Sequence, residues 1–390
     1  MSVVVRIRQP GEVSSSAVAR VPLTLDPKAL QASIDPGAVE QVSAAYDRLL
    51  EAQANTAERN RQAVLAHLRP LVQRLEPKLF QTADIKPEQL RQDLGRIWVG
   101  DAGSSAIGYE RDASGIIINY DTAAWVRNVQ RYMAQYEAHF VKMRTFLAPL
   151  IARQPELTNA APFSRVVPRD GSAPLEMSML HQVRGLFSRV ETPSSAASAP
   201  SLAPCLDHEH STPPFPIVSS AGLSPGADSV GSNWISLYNR AEWDAAPHKS
   251  GLLAAPFIVR PTDTHVTVIA DTTTTMLDLF ASGIGIAHAW SQLHLSVSDG
   301  TTELASETVQ LGNATNAAGG TGWLPQATVQ SRGLQGTPTQ LQCAFTRQAA
   351  DPTAYVISLQ ASVDATVMGT AAASCLLMVR LDKLTAHCCT

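Results

Sequence analysis

The sequence has no run approaching the eighteen or more apolar residues that a membrane-spanning helix needs. It also lacks the apolar core of a signal peptide, because Arg6 and Arg8 follow directly on the short run Val3-Val-Val5. These absences predict a protein made in a cytoplasm, which reaches the outside by lysis or as part of an assembled particle. Cysteines number five, and no two have the C-x-x-C spacing, so neither a disulfide framework nor a zinc ribbon is indicated. Cys343 and Cys375 fall in strand-like runs and read as buried thiols. Basic charge is not in excess: the formal net charge is −4, which argues against binding nucleic acid through a broad basic surface.

What is present is enough apolar material, 45% of 390 residues, for two or three packed cores. Charge is unevenly placed. Residues 1–160 hold 19 Lys/Arg and 17 Asp/Glu, while residues 161–390 hold 11 and 17. The second part, sparse in charge and rich in Thr, Ser, Gly and Ala, has the composition of a β-domain. The fold class expected is multidomain α+β. A helical N-terminal half with a long coiled-coil-like helix and a β-hairpin would precede a C-terminal antiparallel β-sandwich of jelly-roll type. The expected divisions are an N-terminal arm (1–30), a helical domain (31–155), a proline-rich linker with one short helix (156–232), the sandwich (233–384) and a tail (385–390).

The helical pattern begins at Pro36, with Asp35 as a plausible N-cap, and recurs through Val39, Val42, Tyr46, Leu49 and on to Leu68. Pro70 and Pro77 are expected to break or kink it. A short helix follows from Pro87, and residues 107–120 read as a hairpin. The longest helix is capped by Asp121 or Thr122 and extends to about Arg153. Its apolar positions Trp125, Val129, Tyr132, Tyr136, Phe140, Met143, Leu147 and Leu150 form a heptad seam with one four-residue stutter. Such a seam wants a partner, either the first helix or a copy of itself in an oligomer. From Trp234 onward nine strand-length runs alternate with turn signals, as in a sandwich or barrel.

Motifs that carry chemistry are few. Cys205, His208 and His210 are the one cluster with metal-ligating residue types, and His248 could join them. Their spacing matches none of the usual ligand pairs, so no metal and no cofactor is expected. No G-x-S-x-G elbow, P-loop or dinucleotide fingerprint occurs, and Gly283-Ile-Gly285 is a lone G-x-G within a β pattern. His265, His288 and His294 read as strand histidines rather than as bases. Trp234, Trp243 and Trp323 are candidate surface aromatics for stacking on a ligand or anchoring an interface.

Residues 262–384 resemble the C-terminal head domains of phage tail fibres and related attachment proteins, with jelly-roll or TNF-like sandwiches. The resemblance is carried by Leu293-His-Leu-Ser-Val-Ser-Asp-Gly300, Thr308-Val-Gln-Leu311, Gly322-Trp-Leu-Pro-Gln-Ala-Thr-Val329, Leu341-Gln-Cys-Ala-Phe345, Ile357-Ser-Leu-Gln-Ala361 and Leu376-Leu-Met-Val-Arg-Leu381. It implies a trimer or larger assembly whose heads bind a cell-surface glycan or protein. The expectation is therefore a non-enzymatic structural and attachment subunit of a virion or phage-tail-like particle. Its partners would be copies of itself and other particle subunits, without nucleic acid or membrane insertion. Three alternatives stay open: a capsid protein with a helical shell half and a protruding β-domain, a carbohydrate-active or zinc-dependent enzyme, and a soluble binding module outside any particle.

Overall fold

The computed structural model describes residues 36–97, 109–111, 113, 117–120, 122–153, 207–224, 228–299, 303–316, 327–331, 336–348 and 354–389. Strands make up 53% of these residues, so the molecule is mainly antiparallel β-sheet rather than a helical half joined to a β half. Helices α1 (Pro36–Ala83), α2 (Pro87–Arg96) and α3 (Thr122–Arg153) lie against that sheet. The small hairpin is present as β1 (Tyr109–Arg111) paired with β2 (Ile117–Tyr120).

The main sheet is organised around two unusually long strands, β8 (His265–Ser298, 34 residues) and β12 (Ala354–Cys389, 36 residues), antiparallel throughout. A straight strand of that length would exceed roughly 110 Å at about 3.3 Å per residue. The pair bends instead, at Gly283 (φ 121°), Gly285 (φ 113°) and Gly369 (φ 82°), with Gly285 directly opposite Gly369. A Cβ at Gly285 would stand 2.1 Å from the Met368 carbonyl oxygen, so only glycine permits this backbone conformation and this closeness. Asn316, fully buried, stitches the bend. Its Nδ2 donates to the carbonyls of Gly283 (3.2 Å) and Gly285 (3.0 Å), and its Oδ1 accepts from Ala287 N (2.9 Å).

The bend divides the sheet into two limbs, an arrangement known from sandwiches whose corner strands run through both sheets. Limb A joins residues 286–298 of β8 and 354–368 of β12 to β7 (His248–Ile258), β4 (Ile217–Ala221) and β9 (Glu303–Thr315). Limb B joins the remainder to β6 (Trp234–Glu242), β5 (Ser229–Val230), β3 (Asp207–Ser211), β10 (Ala327–Ser331) and β11 (Thr337–Thr346). One core takes side chains from both limbs: Val266, Val268, Leu277 and Leu279 of one, Leu293, Leu295, Ile357 and Leu359 of the other. Asn239 of limb B also donates to the Val363 carbonyl of limb A at 3.1 Å. The C-terminal region is thus sandwich-like, as expected, although several runs predicted as separate strands are pieces of β8 or β12.

The outer faces take the helices. Val42, Ala45, Tyr46 and Leu50 of α1 pack on Ile217, Leu252, Ala254 and Val356 of limb A. Asp47 Oδ1 accepts from Ser219 Oγ (2.6 Å) and Ser220 N (3.2 Å) beside them. At the bend, Phe280, Ile284, Ile286, Met368 and Ala372 are covered by α3 and by the later turns of α1.

Four expectations are corrected here. The seam of α3 forms no coiled coil: Trp125, Val129, Tyr132, Tyr136, Phe140, Met143 and Leu147 are all buried in the cluster that includes those sheet residues. Tyr132 meets Phe280 edge-on at 6.2 Å between centroids and hydrogen-bonds Ser282 Oγ at 2.9 Å. A heptad-spaced apolar stripe fits a flat β face as readily as another helix, and the pattern does not name its partner. α1 is not broken at Pro70 or Pro77, because burial of Val72, Leu75 and Leu79 outweighs a local cost of about 3 kcal/mol for a helix-interior proline. The sheet begins within the expected linker, since β3, β4 and β5 all precede residue 232. It also continues past Leu384, because Ala386 and Cys388 alternate into the core.

Candidate functional site

The three candidate surface tryptophans part company. Trp234 is buried at 4% exposure, Trp323 lies outside the described residues, and Trp243 is 39% exposed. Trp243 and Asp244 form the turn between β6 and β7, and both hold left-handed backbone, at φ 53° and 58°. For non-glycine residues that conformation costs on the order of 1–2 kcal/mol each, so the surroundings must enforce it. They do so through Asp244, whose Oδ1 accepts from Gly369 N at 3.0 Å on the bend of β12. The segment just after the turn is held to the same strand: Val367 N donates to the Ala245 carbonyl at 2.7 Å and Ala365 N to that of Pro247 at 3.3 Å.

Two helices complete the corner. The Arg91 guanidinium of α2 sits 5.0 Å from the centroid of the Trp243 ring, a cation–π distance. Arg69 of α1 lies 3.7 Å from Asp244 Oδ2, and Glu76 Oε1 accepts from Thr370 N at 2.7 Å. Arg91 is also 3.5 Å from Glu88, whose side chain is 75% exposed, a pairing worth little in solvent. The site is therefore an indole pinned by a strained turn, with an arginine over its ring and a second arginine close by. Such a group can stack on the apolar face of a sugar ring or fill a partner's pocket, while the arginines meet acceptors around it. Sequence reasoning found Trp243 but not Arg91, Arg69 or Asp244. Their only signal is type, and the fold alone brings residues 69, 91 and 243 together.

Other expected site residues resolve as follows. The α3 seam from Trp125 to Leu147 is buried within the chain. Cys205 lies outside the described residues, and of His208 and His210 the structure describes the backbone, on β3. Among the described residues no group of three or more His, Cys, Asp or Glu side chains is gathered to hold a metal. His248, the proposed fourth ligand, instead has Nδ1 2.9 Å from Asp364 Oδ1, with side chains 9% and 0% exposed. That pair has two of the parts of a nucleophilic triad, with the Asp364 side chain fully buried and that of His248 largely so. His288 Nε2 lies 2.8 Å from Asn313 Oδ1, and His294 Nδ1 2.8 Å from Thr308 Oγ1, both on limb A.

No protein-family model and no curated protein matches the chain. Among solved structures it is similar to the carbohydrate-binding module TmCBM61 in complex with β-1,4-galactotriose, at 11% identity over 45% of this chain and 86% of that one, TM-score 0.17. It is similar to the enzymatically active domain of bacteriophage CBA120 tailspike protein 4, at 8% identity over 41% of this chain and 22% of that one, TM-score 0.13. It is also similar to the infectious bursal disease virus VP2 subviral particle, at 10% identity over 43% and 46%, TM-score 0.11. The chain spans less than half the length of the latter two. All are rich in β-sandwich, and likeness at such scores carries no argument about what this chain does.

Proposed function

We propose that this protein is a non-catalytic structural and attachment subunit of a virion or tail-like particle, and that Trp243 anchors the ligand. One observation carries the reading: a bulky aromatic is held, at a backbone cost, in a turn that leaves its ring partly open to solvent. The ligand class that fits is a surface glycan, whose ring C–H face stacks on indole and whose hydroxyl or carboxylate groups meet Arg91. The carbohydrate-binding and viral sandwich likenesses are compatible with this reading.

A glycan array probed with the intact chain tests it. Binding to a defined glycan subset is expected, and Trp243→Ala should weaken that binding at least about tenfold, as loss of a buried-on-binding aromatic anchor does. Absence of any glycan binding by the wild type, or equal binding by the variant, would overturn the proposal.

A further inference from the structure

The outer face of limb A is apolar at its two ends and polar between them. Leu252, Ala254 and Val356 lie under the start of α1, while Ile286 and Met368 belong to the cluster shared with α3 and the later turns of α1. Between these pads, side chains alternate between the two faces of each strand. Val363, Ala365 and Val367 of β12, Ala289 of β8 and Leu253 of β7 enter the core between the limbs. Asp364, Thr366, Trp290 and Ser250 therefore share the outer face. Asp364 is at the centre, directly opposite Trp290 on one side and His248 on the other. Thr366 follows it on the same face of β12, and Ser250 is its diagonal neighbour on β7. Cβ separations for direct and diagonal pairs are about 4.5–5.5 Å and about 7–8 Å, so the groups converge on one small area.

This polar belt is buried without being satisfied by the chain. Among the described residues, Thr366 Oγ1, Ser250 Oγ and Trp290 Nε1 are shut off from solvent and have no hydrogen-bond partner, with Thr366 4% exposed and Ser250 0%. Buried donors are ordinarily paired, because an unpaired one forfeits its hydration without return. Here three of them surround a fully buried carboxylate, whose Oδ1 lies 2.9 Å from His248 Nδ1. The belt opens to one side, where Trp290, Gln292 and Gln360 are each half-buried. We infer that this belt is a binding site for a neutral, hydroxyl-rich ring, a single sugar unit. A sugar hydroxyl both accepts and donates: it takes the Trp290 N–H and the Thr366 and Ser250 hydroxyls, and gives its own proton to a carboxylate or amide oxygen. Its ring C–H groups suit an indole. The Asp364 carboxylate disfavours an anion, and an apolar guest would leave all three donors unpaired. The site is separate from the Trp243 turn and does not rest on the attachment role proposed above.

The test titrates the full chain with a panel of methyl glycosides, followed by saturation-transfer NMR, and reads thermal unfolding of each variant in parallel. At least one methyl glycoside is expected to bind the wild type. Thr366→Val and Trp290→Phe should each weaken that binding about tenfold, the size of one lost hydrogen bond. The free protein supplies a second readout. Because the two hydroxyls have no partner in the chain, Thr366→Val and Ser250→Ala should leave the melting temperature unchanged or raise it. Trp243→Ala should bind the glycoside as the wild type does. Three results would each overturn the site: no glycoside bound, binding indifferent to Thr366→Val and Trp290→Phe, or a lower melting temperature in both hydroxyl variants. Binding lost in Trp243→Ala and kept in Thr366→Val would overturn it too, while leaving the Trp243 anchor standing.

Discussion

Single residues decide the geometry of this sandwich at two places. Gly285 has no room for a methyl group, and Asn316 satisfies three backbone groups that the bend would otherwise leave without partners. Gly285→Ala is expected to prevent folding or to lower stability by more than about 3 kcal/mol, since both the contact and the φ angle resist it. Asn316→Ala should cost about 2–4 kcal/mol by orphaning buried amide and carbonyl groups. Urea denaturation of each variant measures both, and near-wild-type midpoints would disprove the account of the bend. In the sequence, Gly283-Ile-Gly285 showed only as a lone G-x-G, because a bend inside a strand depends on the strand opposite. Trp243 was legible as a candidate; the turn that strains it was not.

At the scale of elements, α3 shows how far periodicity reaches. The spacing located the helix and selected its buried positions, and its partners proved to be α1 and the sheet together, in one shared cluster. α3 is tied to α2 by a polar hub on Asp93, whose Oδ2 accepts from Tyr136 Oη (2.6 Å), Gln135 (2.9 Å) and Gln89 (3.0 Å), with Arg96 3.2 Å from Oδ1. Burial works to raise the Asp93 pKa, but these hydrogen bonds and Arg96 outweigh it and hold the carboxyl below its ordinary value of 3.8. Because the folded pKa lies below the unfolded one, the stabilisation is present above about pH 4 and is lost as pH falls through the folded value. Asp93→Asn should therefore lower stability at pH 7 by about 1–3 kcal/mol, with the difference from wild type shrinking below about pH 4. Thermal unfolding followed across that range checks this, and a pH-independent difference would refute it.

For the whole molecule, the sequence revealed β content, the hairpin expected at 107–120 and most strand positions. It concealed that three separate runs between residues 264 and 297 are one strand, since strands of five or six residues are the rule and nothing local announces continuity. It also suggested a helical half standing apart, whereas α1 and α3 share cores with both limbs. That sharing predicts one cooperative unfolding transition for helices and sheet together. Coincident far-ultraviolet and tryptophan-fluorescence melts would support this, and a helical transition well before the sheet melts would count against it. Since the α3 seam is buried within the chain, any assembly must use other surfaces. A change at the seam, such as Phe140→Ala, should lower stability by about 3–5 kcal/mol without altering the mass seen by light scattering at temperatures where it stays folded.

The length of β12 has a consequence for how the chain is made. It pairs with β3, β6, β7 and β8 and is the last of these strands to be synthesised. Until it leaves the ribosome, β6 and β7 have no strand to separate and join them to β8, and neither limb can close. Nascent chains stalled before residue 354 should accordingly remain open to proteases throughout the β region. Protection should arrive late and all at once, with the slow, non-local kinetics of a high-contact-order fold.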